Sequence, residues 1–397
     1  MRRSGRRYRS GRAAEHYDVI VIGSGIGGLS LAALMSKLGK RVCVLEQHYT
    51  AGGFTHSYER EGFEWDVGVH YIGEVHKPHS TLRRLFDVIS DGALKWAPMD
   101  PVYDRIIIGD RRVDFVEGRG ALADNLIAQF PAEEAAIRRY IELIDETARS
   151  AQKFFAGQAM PRWLGRTYHA ARPLLVPKNC FRSVREVLEE LTQDQELIGV
   201  LTGQWGDYGM VPRDASFLMH ATVVKHYFGG GSYPVGGSWM IPDTIVPVIR
   251  AGGGEVFTYA KVEEIVIEKG RACGVRMANG DTLRADQVVS AAGARVTYEQ
   301  LLPEALRESL GYPAKLKQVK TSGAHLCIYA GFKGTAAELG LPKTNLWIYP
   351  NAHHEANVEA FQADVNAPFP MLYVSFPSAK DPEWDSNYPG KSTVEVL

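Results

Sequence analysis

The stretch YDVIVIGSGIGGLSLAALMSKLGKRVCVLEQ, residues 17–47, restricts the fold of this chain more than any other. Asp18 to Ile22 is a short apolar run rich in β-branched residues, the pattern of a strand covered on both faces. Glycines at 23, 25, 27 and 28 follow at once, then LSLAALMSKLG, a helix closed by Gly39. Arg41 to Leu45 reads as a second strand, and Glu46 ends it. Strand, glycine turn, helix, strand and terminal acid together make a unit that holds a dinucleotide. Gly23 makes the tight turn, Gly25 admits a pyrophosphate to the backbone, and Gly28 lets the helix pack on the strand; Ser24 and Gly27 complete the turn. The helix N-terminus offers free N–H groups and a positive dipole end to the phosphates. Glu46, eighteen residues after Gly28, can accept hydrogen bonds from both ribose hydroxyls. An acid there disfavours a 2′-phosphate, so NADP is set aside and FAD and NAD remain.

Composition narrows the class further. The 397 residues are 45% hydrophobic and 23% charged, ordinary for a globular chain and long enough for two domains. Residues 1–12 carry six arginines and no acid; without those charges the net −1 becomes −7. An acidic body argues against a nucleic-acid partner, and residues 1–15 read as a disordered basic tail. Cys43, Cys180, Cys273 and Cys327 lie far apart with no CxxC pair, which fits inert thiols in the cytoplasm. Only His353 and His354 adjoin among twelve histidines, so no metal site is expected. No run approaches the roughly eighteen apolar residues of a membrane span.

Further along, TLRRLFDVI at 81–89 is helical, and Arg105–Ile108 and Val113–Val116 flank a Gly109-Asp110 turn as a hairpin. Pro131 opens a long amphipathic helix with Ile137, Tyr140, Ile141, Ile144, Ala148 and Ala151 on one face. One further helix is expected over 183–201. The acid-free stretch 163–181, WLGRTYHAARPLLVPKNCF, suits a membrane surface, a mouth for greasy substrates, or a buried connection. From Tyr233 the pattern gives a helix to Gly252, strands at 255–259 and 262–268, a turn at Asn279-Gly280, and a strand at 286–291 that runs into Ala292-Gly293.

The double glycine in EQHYTAGGFTHS, 46–57, resembles the long flavoenzyme family that includes amine oxidases, phytoene desaturases and GDP-dissociation inhibitors. That resemblance implies FAD, with Gln47, Gly52, Gly53 and Thr55 along its diphosphate and ribityl chain, Val262 at adenine, and Ala292 and Gly293 near the diphosphate. Many members have arginine after the two glycines; this chain has Phe54, so that contact does not carry over. The implied fold is an α/β, Rossmann-like FAD-binding domain of the glutathione-reductase type, residues 16–80 plus 230–297. An inserted α+β substrate domain takes 81–229 plus 298–397. Four stretches, GVHYIG at 68–73, LTGQWGDYG at 201–209, SFLMHATVVKHYFGGGSYPVGGS at 216–238 and YVSFPSAKDPEWDSNYPGKST at 373–393, resemble the retinol saturase and carotenoid isomerase branch.

The branch implies an oxidoreductase acting on C=C bonds of a hydrophobic polyene, with peripheral membrane contact. Saturation needs a hydride from the flavin and a proton from a side chain. His220 and Tyr227 are the candidate proton carriers, chosen over His70, Tyr71 and His226. Trp205, Phe217, Met219, Phe228 and Trp239 are candidate walls of an apolar tunnel. Family members close the cofactor domain with a C-terminal strand and a Gly-Asp pair. None follows Tyr373 here, which suggests a truncated chain that holds FAD weakly. Three alternatives stay open: a redox-neutral isomerase, a non-catalytic lipid binder like the GDP-dissociation inhibitors, and an amine oxidase. The intact Gly23, Gly25, Gly28 and Glu46 favour a working cofactor site over the second.

Overall fold

The computed structural model describes residues 3–397 except positions 159 and 320. The apolar run forms β1's neighbour in sequence, β2 (His16–Ile22), after a short β1 (Arg6–Arg7); α1 (Ile26–Lys37) and β3 (Val42–Leu45) follow. Side chains of β2 alternate between two cores. Val19 and Val21 face α1 and the helix Met240–Ala251, meeting Leu29, Ala32, Ile241 and Ile245. Ile20 and Ile22 face the other way, towards Val275, Met277, Leu283 and Leu301. Fully burying one such aliphatic side chain contributes about 2 kcal/mol, which explains a strand with no polar alternation.

The seven-stranded sheet runs in the order Arg6–Arg7, Glu255–Thr258, Val42–Leu45, His16–Ile22, Thr282–Ser290, Arg271–Met277, Val262–Glu268. Its first five strands are parallel, and an antiparallel hairpin closes the edge. The strands therefore come from two distant parts of the chain. A six-stranded sheet carries the other half, in the order Ile328–Lys333, Lys391–Val396, Leu372–Ser375, Asn345–Tyr349, Val102–Ile108, Arg111–Val116. Its core includes Tyr103, Ile106, Phe115, Ile137, Tyr140, Ile141 and Ile144, so the long helix Glu134–Gln158 presents the apolar face its periodicity foretold.

Two expectations need correction. Residues 183–201 form two helices, Val184–Glu189 and Gln195–Leu201, not one. The Asp194 carboxylate accepts from the backbone N–H of Glu196 and Leu197, starting a new helix where an old one would have continued. The basic tail is ordered as well; only Met1 and Arg2 lie outside the described residues. Arg6 and Arg7 pair in parallel with Phe257 and Thr258. The Tyr8 N–H donates to the Thr258 carbonyl at 2.9 Å, and its hydroxyl donates to Asp281 at 2.7 Å. Arg7 lies over the Tyr259 ring at 4.6 Å. An open strand edge supplies backbone partners, and arginine stems lie along tyrosines, so high charge did not mean disorder.

Trypsin should therefore spare the bonds after Arg6 and Arg7 in the native chain. Tyr8→Ala should open them. Equal and rapid cutting of both proteins, followed by mass spectrometry, would contradict this docking.

Candidate functional site

The glycine turn is built by close approach. A methyl group at Gly28 would lie 2.2 Å from the Gly23 carbonyl oxygen and 3.3 Å from the Ala291 methyl. A methyl at Gly53 would lie 2.9 Å from the Gly25 Cα, so the double glycine presses on the turn. Gly52 and Gly53 have φ of +125° and +56°, which side chains rarely adopt. In contrast, methyls at Gly25, Gly27 and Gly293 would meet nothing within 4 Å. The turn is thus tight where backbone meets backbone and open above the helix. No side chain caps α1 at Gly25, which leaves the first N–H groups free for an anion.

Glu46 stands at the mouth of this turn. One carboxylate oxygen accepts from the Ser24 N–H at 2.9 Å and the Ser24 hydroxyl at 2.7 Å, and the other accepts from the His48 N–H at 2.8 Å. The side chain is partly exposed, and a carboxylate has acceptor capacity beyond three donors. Ala291 and the Ala292 nitrogen lie against Gly23, and Gly293 follows them with open space above it. The Thr55 hydroxyl donates to the Gly52 carbonyl at 2.8 Å and fixes the second glycine loop. Gln47 is exposed beside Glu46, and Val262 begins the strand that ends the sheet. Phe54, 76% exposed, packs against Gly68, so the loop leads from the turn towards His70 and Tyr71. These residues fit an FAD: open helix N-terminus for the diphosphate, acid for the ribose, and a glycine-lined path onward.

The expected proton carriers fare unequally. His220 is a core residue: Nε2 meets the Tyr140 hydroxyl at 2.9 Å and Nδ1 the Tyr208 hydroxyl at 3.2 Å. Burial pushes its pKa down to about 3, so it neither carries nor releases a proton near neutrality. Tyr227 is buried and stacked between Tyr71 at 4.4 Å and Tyr103 at 5.7 Å. His226 accepts the Gly73 N–H at 2.9 Å. Among the tunnel candidates, Phe217 and Phe228 are core, and Met219 faces outward. Trp239 donates to its own loop at Gly236. Trp205 alone of these five packs beside the inner sheet core with a buried, unpartnered Nε1.

The densest polar cluster joins the two halves, and no spacing in the sequence announces it. Lys380 is 1% exposed and donates to the His70 carbonyl at 3.0 Å, the Ser375 hydroxyl at 2.7 Å and the Asn345 side-chain oxygen. His70 Nδ1 bonds Glu395 at 2.7 Å, and Glu395 also takes the Asp66 N–H. Asp66 in turn accepts from the Tyr233 hydroxyl at 2.6 Å and the Ser238 N–H at 3.1 Å. On the far side Asn345 donates to Asp104 at 2.9 Å. Asp104 also accepts from Tyr71 and Gln204, each at 2.7 Å. Burial lowers Lys380 to about 8 and raises Glu395 to about 8.

Two substitutions at the turn separate packing from binding. Gly28→Ala should destabilise the fold by about 1–3 kcal/mol through overpacking. Gly25→Ala should leave the melting temperature unchanged yet weaken FAD at least about tenfold, read by flavin fluorescence titration. Unaltered FAD affinity in Gly25→Ala would move the diphosphate elsewhere. At the joint, Lys380→Met strands three buried acceptors and should cost about 3 kcal/mol in denaturant unfolding; a change within about 0.5 kcal/mol would show the cluster to be dispensable.

Comparisons with known proteins point to a flavin family. The family described as flavin containing amine oxidoreductase matches residues 26–347. The chain is 37% identical to the all-trans-retinol 13,14-reductase of Danio rerio over 402 residues, which cover 97% of this chain and 66% of that protein. A second Danio rerio protein, named an inactive all-trans-retinol 13,14-reductase, is 31% identical over 98% of this chain and 67% of its own length. Prolycopene isomerase 1 of an Oncidium hybrid cultivar is 26% identical over 93% of this chain and 62% of that protein. The chain thus spans about two thirds of the length of these relatives. Among solved structures, a putrescine oxidase shares the fold at a TM-score of 0.61 and 17% identity, covering 96% of this chain and 75% of that one. This chain belongs to the flavin-containing amine oxidoreductase family, and its cofactor is FAD.

Proposed function

We propose that the chain saturates a C=C bond in a hydrophobic, conjugated isoprenoid of the retinoid class. The observation that carries this reading is the identity of 37% with a retinol 13,14-reductase across 97% of the chain. When bound, FAD supplies a two-electron transfer at its ring. The chain's own residues bind and orient. Gly23 to Gly28 take the diphosphate, Glu46 the ribose, and the 66–71 loop leads to a buried cluster of stacked rings. Tyr71, Tyr103, Tyr227, Trp347 and Tyr373 pack ring against ring in that cluster, an apolar, water-poor surround for a polyene bound beside it.

Delivery of a lipid fits the outer surface. Phe155, Met160, Leu164 and Phe181 are exposed, with Arg172 over the Phe181 ring at 4.8 Å. This basic, apolar patch is the proposed membrane contact; the Trp163 side chain lies outside the described residues. No helix among the described residues is long and apolar enough to cross a membrane.

The similarity to a prolycopene isomerase supports a second reading, isomerisation without net reduction. One experiment separates the two. The FAD-loaded chain is incubated anaerobically with all-trans-retinol and a chemical reductant, and the products are analysed by mass spectrometry. Saturation gives a product heavier by one H2. A geometric isomer of unchanged mass would favour isomerisation, and unaltered retinol would contradict both.

A further inference from the structure

Ser4 is 4% exposed, although residues 2–9 around it include five arginines. Its N–H donates to the Thr50 hydroxyl at 3.0 Å, and its carbonyl accepts from the Ala51 N–H at 2.9 Å. The Ser4 hydroxyl donates to Asp243 at 3.2 Å, on the helix Met240–Ala251. One residue thus ties the segment just before the double glycine to a helix that covers the parallel sheet. Gly5, at φ +95°, turns the chain from this contact into β1. A methyl there would lie 2.8 Å from the Thr258 Cγ2 and 3.3 Å from the Val256 carbonyl oxygen. Arg6 then pairs with Phe257, whose carbonyl accepts from the Glu46 N–H at 2.8 Å. Arg3 lies over the Tyr49 ring at 5.8 Å.

What the contact holds is the loop that carries Gly52 and Gly53. Their positive φ values come from residues with no side chain to lock them, and such backbone is costly to order. After the glycines, the Thr55 hydroxyl fixes the Gly52 carbonyl at 2.8 Å. At the turn, the Gly52 N–H donates to the Ser24 carbonyl at 3.1 Å. Before the glycines, Thr50 and Ala51 are buried, and Ser4 takes up one polar group of each. Without Ser4 the cofactor would have to order this side of the loop as it binds.

We propose that Ser4 is a positioning residue for FAD, and that the amino-terminal strand is a clip holding residues 50–53 in their cofactor-binding form. This rests on the FAD site described above and holds whichever substrate is reduced. Ser4 acts through Thr50 and Ala51, next to Gly52; Gly53 in turn presses on Gly25 of the turn. A loop ordered in advance loses less conformational entropy when FAD arrives, so the effect falls on affinity.

The test compares the full chain with one lacking residues 1–5. That deletion removes Ser4 but leaves Arg6, Arg7 and Tyr8 to pair with Phe257 and Thr258. Flavin fluorescence titration should show FAD bound at least about tenfold more weakly by the shortened chain. The melting temperature of the cofactor-free protein should fall by no more than about 4 °C. Thr50→Val should weaken FAD to a similar degree, and Thr50→Ser should keep most of the affinity. In the shortened chain Thr50→Val should add little, because both changes break the same contact. Without cofactor, the amides of residues 50–53 should exchange with deuterium at least about tenfold faster once residues 1–5 are gone. FAD affinity within twofold of the full chain, or unaltered exchange at 50–53, would overturn the clip. A full chain that takes up no FAD would overturn the cofactor site and the clip with it, a result distinct from the other two.

Discussion

Everything in this molecule is organised around the contact between Gly28 and the carbonyl of Gly23. With 2.2 Å from that oxygen to a hypothetical methyl, helix α1 lies directly on the end of β2. The same approach brings Ala291 and Gly53 onto the turn, so segments distant in sequence meet where no side chain fits. A backbone that close leaves its N–H groups uncovered by the chain itself. An anion held there would complete the local hydrogen bonding as much as it serves function.

From the turn, structure passes outward by polar contacts instead of apolar ones. Phe54 and Gly68 lead into a loop whose acids and histidine are tied to the second sheet through Glu395 and Lys380. A lysine there, with only neutral acceptors in direct contact, is costly to bury. An apolar residue in its place would untie three segments at once, because each of its three bonds goes to a different one. The same burial that fixes the joint raises the carboxyl pKa values of Asp66, Glu395 and Asp104. Structure and chemistry share one set of groups.

Much of the cofactor half was legible because its signals are local. The glycine spacing, the β-branched strand and Glu46 lie within a few dozen residues, and each has one physical cause. The helix at 81–89 was legible for the same reason, through its local pattern, and the Ser80 hydroxyl caps it by accepting from the Arg83 N–H. What stayed hidden depends on long-range pairing. Asp66 meets Glu395 and His70 meets Lys380 only because two sheets fold together. His220 looked chemical in sequence, but Tyr140 and Tyr208, from a different helix and a different turn, occupy both ring nitrogens. The tail misled because its composition speaks of charge and says nothing of the sheet edge that receives it.

The central claim is that the turn at Gly23 to Gly28 grips a diphosphate. The most direct measurement labels glycine with 15N and titrates the protein with ADP, following amide resonances assigned by single substitutions. Gly25, Gly27 and Gly28 are expected to shift together with Gly52 and Gly53, while remote Gly109 and Gly340 stay fixed. If those five amides remain still while ADP binds, the dinucleotide lies elsewhere and the account is wrong.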